Sequence, residues 1–500
     1  MSAMIRFHNT LGGKVEEFVP IEPGRVRLYT CGPTVYDYPH IGNWRAYVFE
    51  DLLKRFLKYR GFNVLHVMNI TDVDDKTIRG ANARGIGLED YTRPFIEAFH
   101  AERDTLAILA ADHYPRATAF IPEMAALIKI LLDKGVAYRK DGSIYFAIDR
   151  FPSYGRLSRI NLEDRRPGSR GDSDEYEKDS VHDFALWKAP KEGEPVWETG
   201  IGPGRPGWHI ECSAMSAKYL GPTFDIHCGG VDNIFPHHEN EIAQSEAAFG
   251  KTFVNTWLHC HHLIRDGEKM SKSRGNTITI PEILKVKENP RALRFLLIST
   301  HYRKTLNFTF EALDQAETAL ARIDEFAGEV KSGQFPEGET EAGAKVVEEA
   351  ERKFRAGLSD DLNISKAMTA VFNLIKKANV LLSQKKIKSA DAERLNGFLD
   401  GVNQALGVIS PTIKFKGPTT DHGGAGARPT VTAASGEALP QPGITSEQLA
   451  KIQLREKARA EKKFAESDRI RAELAAEGIL LEDTKDGVRW KSVPVQKKPE

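Results

Sequence analysis

The sequence predicts an α/β fold in which a doubly wound parallel sheet carries an inserted domain and is followed by a helical bundle and a small C-terminal domain. Residues 26–30 alternate like a strand and lead through a Cys-Gly-Pro turn into a helical pattern at 44–59. An apolar, strand-like segment follows at 62–70. Strand, helix and strand in this order form a βαβ unit, which implies parallel strands. Beyond residue 290 the pattern is strongly helical.

Composition and length are those of a globular protein of several domains. The 500 residues are 41% hydrophobic and 28% charged, and 70 basic residues balance 70 acidic ones. A net charge of zero argues against a protein that coats nucleic acid without specificity. Four scattered cysteines indicate thiols in a reducing compartment rather than a disulfide scaffold. We find no signal peptide and no apolar run long enough to span a bilayer, so we expect a cytoplasmic protein without a membrane partner.

Shifts in pattern predict the order of the domains. Residues 1–93 and 206–289 should form two halves of the sheet domain, and residues 94–205 an insertion between them. Within the insertion we expect helices at 94–109 and 121–134, a strand at 143–148 and a mobile polar stretch at 165–179. A strand is expected again at 251–264, in the second half of the sheet domain. A helical bundle (290–410), a Gly/Pro-rich flexible linker (411–443) and a C-terminal module (444–500) with a charged helix or pair of helices at 446–477 complete the chain.

The central stretch is residues 224–241, FDIHCGGVDNIFPHHENE. It is typical of a strand, a glycine turn and a helix beginning near Pro236, because proline suits the first turn of a helix. Gly230 permits close approach of a ligand, beside the Asp232 carboxylate that could bind ribose hydroxyls. His237 and Glu241 are four residues apart, so a helix would place them on one face as two ligands of one metal.

Two further motifs suit a nucleotide. Residues 39–43 (PHIGN) stand where the first helix begins, so the helix N-terminus and His40 can meet phosphate oxygens while Gly42 lets a purine or ribose approach. Residues 267–276 (GEKMSKSRGN) place Lys269 and Lys272 in a glycine-bounded loop, a cationic clamp suited to a triphosphate.

Together these two motifs resemble the signatures of the class I aminoacyl-tRNA synthetases. Residues 29–37 (YTCGPTVYD), 207–215 (GWHIECSAM) and 235–241 (FPHHENE) resemble, within that class, the cysteinyl-tRNA synthetase family. The resemblance extends over the whole chain, including PRALR at 290–294 and LEDT at 481–484. It implies a Rossmann-like catalytic domain and ATP-dependent ligation of L-cysteine to tRNA(Cys) through a cysteinyl-adenylate. It also implies that residues 444–500 are a tRNA anticodon-binding domain. We expect a monomer.

The resemblance also implies roles for individual residues. One Zn²⁺ per chain should recognise the cysteine thiol, held by Cys31, Cys212, His237 and Glu241. The cysteine pocket should be lined by Thr71, Trp208 and His227. ATP, with Mg²⁺, should be bound by His40, Gly42, Asn43, Gly230, Asp232, Lys269 and Lys272, and four of these, His40, Asn43, Lys269 and Lys272, should be catalytic. Zinc suits this task because it prefers a soft thiolate to the hydroxyl of serine.

Other residues of the same types receive less weight. Cys228 lies in the glycine turn and is not expected to be a ligand. The dense cluster at 259–262 (HCHH) falls in a strand, where neighbouring side chains point to opposite faces. The aspartates at 72, 74 and 75 fit a helix cap beginning near Asp74 better than a magnesium site.

Two alternative functions remain open at this point. One is a ligase that joins cysteine to the amine of an amino-sugar thiol precursor, which would share the zinc pocket and both nucleotide motifs. The other is a zinc-containing RNA-binding protein without catalysis. The first would lack an anticodon-reading domain, and the second would not need His40 or the two motif lysines.

Overall fold

The structure, a computed structural model, describes residues 4–160, 183–270 and 275–409, and toward the C-terminus residues 451, 454–455, 458, 463–476, 479–484 and 487–492. The stretch at 165–179, the linker at 411–443 and Lys272 lie outside the described residues. The chain divides into two compact units, Met1–Asp421 and His422–Glu500.

The predicted parallel sheet is confirmed. Its order is β10-β9-β3-β4, with every neighbouring pair parallel. The strands are β3 (Arg25–Thr30), β4 (Asn63–Met68), β9 (Phe224–Gly230) and β10 (Val254–Cys260). Because the chain continues from β3 to β4 on one side and from β9 to β10 on the other, the order reverses between β3 and β9. Ligands of such sheets bind at this reversal, beyond the carboxyl ends of the strands.

Helix α1 (Ile41–Tyr59) follows β3 and begins three residues earlier than predicted, because His40 caps it. One face of the helix is apolar and packs into the core, with Tyr47, Val48, Leu52, Phe56 and Leu57 all buried. The turn before it needs a glycine. A Cβ on Gly32 would lie 1.8 Å from the carbonyl oxygen of Asn69, the residue after β4. The two strand ends therefore approach each other closely.

Helix α2 (Asp75–Arg84) confirms the cap predicted at Asp74, whose side chain accepts from the backbone N–H of Lys76. Helix α3 (Leu88–Thr105) starts six residues before the predicted Pro94, which lies inside it. Buried Tyr91 and Phe95 pack on one face there, so packing outweighs the backbone cost of proline. Helix α4 (Ile121–Asp133) lies close to its prediction.

A second sheet lies in the sequence between the two halves of the parallel one. It is antiparallel, in the order β5-β6-β7-β8, and the predicted strand at 143–148 is β6. Its strands are β5 (Ala137–Lys140), β6 (Ser143–Phe146), β7 (Phe184–Lys188) and β8 (Arg205–Pro206), and the N-terminal hairpin consists of β1 (Arg6–Asn9) and β2 (Lys14–Glu17). Helix α5 (Trp208–Leu220) then returns the chain to β9.

The helix predicted to begin near Pro236 begins later. Residues Ile234–His238 form an irregular π-type turn, and α6 spans Glu239–Phe249. Phe235 is extended, at φ −137° and ψ 133°. This is the conformation to which a proline drives the residue before it, so regular helix starts beyond the proline.

The single strand predicted at 251–264 is two strands. After β10 the chain passes through His261 and His262 into β11 (Leu263–Arg265), which belongs to another sheet with β12 (Glu268–Lys269) and β13 (Leu306–Phe308). The helical bundle predicted at 290–410 is likewise interrupted by β13. Lys269, which was predicted to lie in a glycine-bounded loop, therefore ends a short strand of this small sheet.

Helices after residue 280 confirm the predicted helical region. They are α7 (Ile280–Val286), α8 (Pro290–Ser299), α9 (Phe310–Ser332), α10 (Glu341–Ser359), α11 (Ile364–Ser383) and α12 (Ser389–Leu406). Their apolar faces share one core with α1 and the parallel sheet. A buried guanidinium ties the parts together, since Arg294 pairs with Asp51 of α1 and donates to the carbonyl of Leu406.

The second unit contains helix α13 (Phe464–Ala476), part of the charged helix predicted at 446–477, and the antiparallel hairpin β14 (Ile479–Thr484) and β15 (Gly487–Ser492). In the part of the chain that the structure describes, no helix has the length and apolar character needed to cross a membrane.

Candidate active site

Four side chains converge at the carboxyl ends of β3 and β9. The ligand-type atoms of Cys31, Cys212, His237 and Glu241 all lie within 4.8 Å of one another. Cys31 follows β3, Cys212 is on α5, and His237 and Glu241 flank the start of α6. Two thiols, an imidazole and a carboxylate are a donor set that suits Zn²⁺. We refer to these four residues as the metal tetrad.

One observation shows that these residues fit a cation. Glu241 Oε1 lies 3.1 Å from His237 Nε2, yet this fully buried oxygen has no hydrogen-bond partner. A buried acceptor without a donor is costly, and a metal ion among the four groups would satisfy it.

Sequence reasoning missed a second arrangement. Cys31, His227, His238 and Glu241 satisfy the same distance condition, sharing two members with the metal tetrad. His238 Nε2 is 3.2 Å from Cys31 Sγ, and His227 Nε2 is 3.1 Å from Glu241 Oε2. His238 directly follows His237 in the sequence, which was the available signal. Since Cys31 and Glu241 belong to both sets, the two sets cannot each hold a metal ion at the same time.

Burial controls the protonation of the metal tetrad. Burial raises the pKa of Glu241 to about 7, with His237 opposing the shift. Burial lowers the pKa of the His237 imidazole to about 3 and raises the pKa of the Cys212 thiol. The pKa of Cys31 is raised well above its usual value, first by its hydrogen bond with Cys212 and then by burial. Burial thus favours the neutral forms of these groups, so binding a dication would release protons.

The two nucleotide motifs meet in one cleft beside the metal tetrad, a cavity of about 470 Å³ that we call the nucleotide cleft. Its lining includes the predicted residues Cys31, His40, Gly42, Asn43, Trp208, Gly230, Asp232 and Lys269. Residues 39–43 and 269 are far apart in sequence, so their convergence is a property of the fold.

The start of α1 is preorganised by its own side chains. His40 Nδ1 accepts from the backbone N–H of Gly42 at 3.1 Å, and Asn43 Oδ1 accepts from the N–H of His40 at 3.1 Å. A Cβ on Gly42 would lie 2.9 Å from the His40 ring and 3.1 Å from Met270 Cε. Glycine therefore keeps this wall of the cleft open and flat.

Asp232 and the histidines after β10 form the opposite wall. The Asp232 side chain is 59% exposed, and its carboxylate lies 3.7 Å from His262 Nδ1. His261 and His262 line the cleft, whereas His259 is buried with Nε2 2.8 Å from His238 Nδ1. Among the described residues, the 259–262 cluster forms no metal set of its own and Cys228 belongs to neither set.

The three predicted cysteine-pocket residues occupy different surroundings. Trp208 stacks on His237, with 4.3 Å between ring centroids, and His227 is buried against Glu241. Thr71 is buried and donates its hydroxyl to Glu211 Oε2 at 2.9 Å. Of the three, only Trp208 is among the described residues that line the nucleotide cleft.

Comparison with known proteins identifies the class. Family models match the chain over most of its length: "tRNA synthetases class I (C) catalytic domain" over residues 17–318, "DALR domain" over 353–410 and "Cysteinyl-tRNA ligase anticodon binding domain" over 441–490. The fold is similar to Mycobacterium tuberculosis methionyl-tRNA synthetase in complex with methionyl-adenylate, with a TM-score of 0.55, 16% identity, and coverage of 76% of this chain and 90% of that one. The fold and the cleft are therefore those of a class I aminoacyl-tRNA synthetase.

Curated relatives narrow the class to one family. The cysteine–tRNA ligase of Koribacter versatilis is 45% identical over 493 residues, covering 97% of this chain and 99% of the relative. That of Chlamydia muridarum is 45% identical over 500 residues with the same coverage. The chain belongs to the cysteinyl-tRNA ligase family.

Proposed function

We propose that this chain ligates L-cysteine to tRNA(Cys), using ATP to form a cysteinyl-adenylate and releasing AMP and pyrophosphate. The observation that carries the proposal is the convergence of a Cys₂-His-Glu set and both nucleotide motifs at one cleft. The family matches and the names of the curated relatives support the same reaction.

The metal tetrad supports the binding of one zinc ion per chain, and this ion would recognise the amino acid. When bound, zinc would accept the substrate thiolate as a further ligand, a role in which the hydroxyl of serine is much weaker. Recognition of this kind discriminates between isosteric side chains far better than an apolar pocket does. Trp208 and His227 lie beside the metal tetrad and complete the cysteine pocket. Thr71 also contributes to this pocket.

The chain's own residues supply positioning and charge stabilisation. The cysteine carboxylate attacks the α-phosphate of ATP in line, and pyrophosphate leaves. With Nδ1 accepting from the backbone N–H of Gly42, the ring of His40 carries its proton on Nε2, which would donate to a phosphate oxygen together with the backbone N–H groups at the start of the helix. Gly42, Gly230 and Asp232 would hold the adenosine. Asn43 with Lys269, Lys272 and Mg²⁺ would neutralise the triphosphate as it breaks.

The proposal assigns a role to each domain. Residues 1–93 and 206–289 form the catalytic domain, 94–205 the inserted domain, 290–410 the helical bundle and 411–443 a linker. Residues 444–500 read the anticodon, which the family match at 441–490 supports. The enzyme acts as a monomer in the cytoplasm. The same family match favours tRNA over an amino-sugar acceptor, and the nucleotide cleft favours an enzyme over a non-catalytic RNA-binding protein.

The test is cysteine-dependent exchange between ATP and pyrophosphate, followed by charging of a tRNA(Cys) transcript. We expect both activities with cysteine and almost none with serine. Exchange without charging would indicate a different acceptor, in which case an amino-sugar acceptor is tested next. Absence of exchange would overturn the proposal.

A further inference from the structure

A second opening lies beside the nucleotide cleft. Two adjoining cavities of about 450 and 470 Å³ lie between α2 and the β7–β8 edge of the antiparallel sheet. We call them together the lateral cleft; both are lined by Asp74, Asp75, Lys76, Lys188, Arg205 and Trp208. Lys76 and Trp208 also line the nucleotide cleft, so these two residues mark the junction of the two clefts.

Four charged residues in the lateral cleft pair with one another. Lys188 Nζ lies 3.1 Å from Asp75, and Arg205 pairs with both Asp75 and Glu194. Asp74 is occupied in capping α2. These groups hold the sheet edge to the helix and offer little net charge to a ligand.

Lys76 differs from the paired cations Lys188 and Arg205. Its ammonium lies over the ring of Tyr36, 4.8 Å from the centroid, and within the described part of the chain no carboxylate forms an ion pair with it. A lysine held by an aromatic ring keeps its full charge and can still donate hydrogen bonds. An anion entering at the junction would therefore meet an ammonium without an ion-pair partner among the described residues. The exposed carboxylate of Asp232 also lines the nucleotide cleft and one of the two lateral cavities.

Trp208 provides the other half of the junction. One face of its indole covers His237 of the metal tetrad, while 39% of the residue remains exposed. An exposed aromatic side chain beside a free cation is the combination that binds single-stranded nucleic acid, because the ring stacks on a base and the cation meets a phosphate.

We propose that the lateral cleft admits the single-stranded 3′ end of the tRNA and that Lys76 binds a phosphate of its last nucleotides. This inference rests on the proposed function. Lys76 is a positioning residue: it holds the terminal ribose at the junction, where a hydroxyl attacks the carbonyl carbon of cysteinyl-adenylate. The new ester C–O bond forms, the bond from the carbonyl carbon to the phosphate oxygen breaks, and AMP leaves with the electron pair. The hydroxyl proton passes to the departing phosphate.

The experiment separates the two chemical steps in Lys76→Met and Lys76→Arg. Adenylate formation is measured by pyrophosphate exchange, and transfer by single-turnover reaction of preformed enzyme-bound adenylate with tRNA(Cys). Losing one charge-assisted phosphate contact should lower transfer in Lys76→Met by about tenfold to a hundredfold. Exchange should stay within about threefold, and Lys76→Arg should restore most of the transfer rate. The matched control is Lys129→Met, which removes an exposed lysine of α4, paired with Asp133, outside both clefts.

The salt dependence of tRNA binding distinguishes a phosphate contact of Lys76 from a purely structural role. Removing one contact to a single-stranded phosphate should reduce the slope of log Kd against log salt by about 0.7. Equal losses of exchange and transfer would assign Lys76 to ATP and overturn the inference. So would unchanged transfer, or a salt slope equal to that of the wild-type protein. Failure of exchange in the wild-type protein would instead count against the proposed function.

Discussion

At the scale of single residues, the candidate active site contains ionisable side chains whose charged forms are destabilised by burial. His227, His237, His238 and Glu241 are all buried, and burial is the largest cause that lowers the pKa of each imidazole and raises that of the carboxyl. Such groups are costly unless something compensates for them. A metal ion bound among these groups would compensate for the cost of burying them.

The metal tetrad predicts how zinc content responds to single substitutions. Cys212→Ala and His237→Ala should each lose zinc affinity by more than the 10–100-fold typical of removing an outer-shell partner. Cys228→Ala, which removes a buried thiol outside both sets, should keep one zinc per chain. Metal analysis after dialysis against a chelator measures this. Stoichiometric zinc in the double variant Cys31→Ala, Cys212→Ala would contradict the tetrad, and loss in His238→Ala but not His237→Ala would favour the alternative set.

A buried carboxyl outside the site predicts a pH dependence of stability. Burial raises the pKa of Glu102 from 4.5 to about 8, opposed by the hydrogen bond from Trp44 Nε1. The native state therefore keeps a proton that the unfolded chain releases. The stabilisation is fully present below about pH 4.5 and is lost as the pH rises through about 8, at up to about 1.4 kcal/mol per pH unit.

Glu102→Gln removes this titration. Denaturant unfolding at pH 5.5 and pH 8.5 should show that the wild-type protein loses stability relative to the variant at the higher pH. Glu97→Gln, an exposed position on the same helix, should behave like the wild-type protein at both values. Parallel pH profiles for the wild-type protein and Glu102→Gln would show that the carboxyl is not protonated in the fold.

At the scale of elements, the sequence was informative where one local rule acts alone. The β3–α1–β4 unit, the cap at Asp74 and the pair His237 and Glu241 follow from periodicity, capping and helical spacing. His237 and Glu241 lie next to each other although Pro236 is in an irregular turn. His237 Nε2 is 3.1 Å from Glu241 Oε1. The contacts of His238 could not be predicted in this way. Cys31 follows β3 and His259 lies on β10, and these parts of the chain come close to His238 only in the folded sheet.

The start of α1 allows two roles of one histidine to be separated. His40→Asn should keep the cap, because asparagine is among the preferred capping residues, but lose the imidazole that meets phosphate. We expect the kcat of pyrophosphate exchange to fall about a hundredfold with little change in thermal stability. His40→Ala should show the same kinetic loss and a further cost of about 1 kcal/mol in stability. A normal exchange rate in His40→Asn would exclude His40 from phosphate binding.

At the scale of the whole molecule, the candidate active site and the match to an anticodon-binding domain fall in different parts of the chain. The metal tetrad, the nucleotide cleft and the lateral cleft are all built from residues before 280, within the first compact unit. That unit has its own continuous core from the parallel sheet to α12. The family match at 441–490 falls in the second unit. Folding of the first unit should therefore not require the second.

Truncation after residue 415 tests this division. The shortened chain keeps every group proposed to act in adenylate formation, so cysteine-dependent pyrophosphate exchange should remain within a few-fold of the full chain. Aminoacylation should fall much further, because contacts to the anticodon are lost and each good base contact is worth about 1–3 kcal/mol. Both rates are measured on the two proteins at the same salt concentration, since phosphate contacts weaken with salt. Equal loss of both activities would show that the tail is structural, and full aminoacylation by the shortened chain would show that the tail does not contact the tRNA.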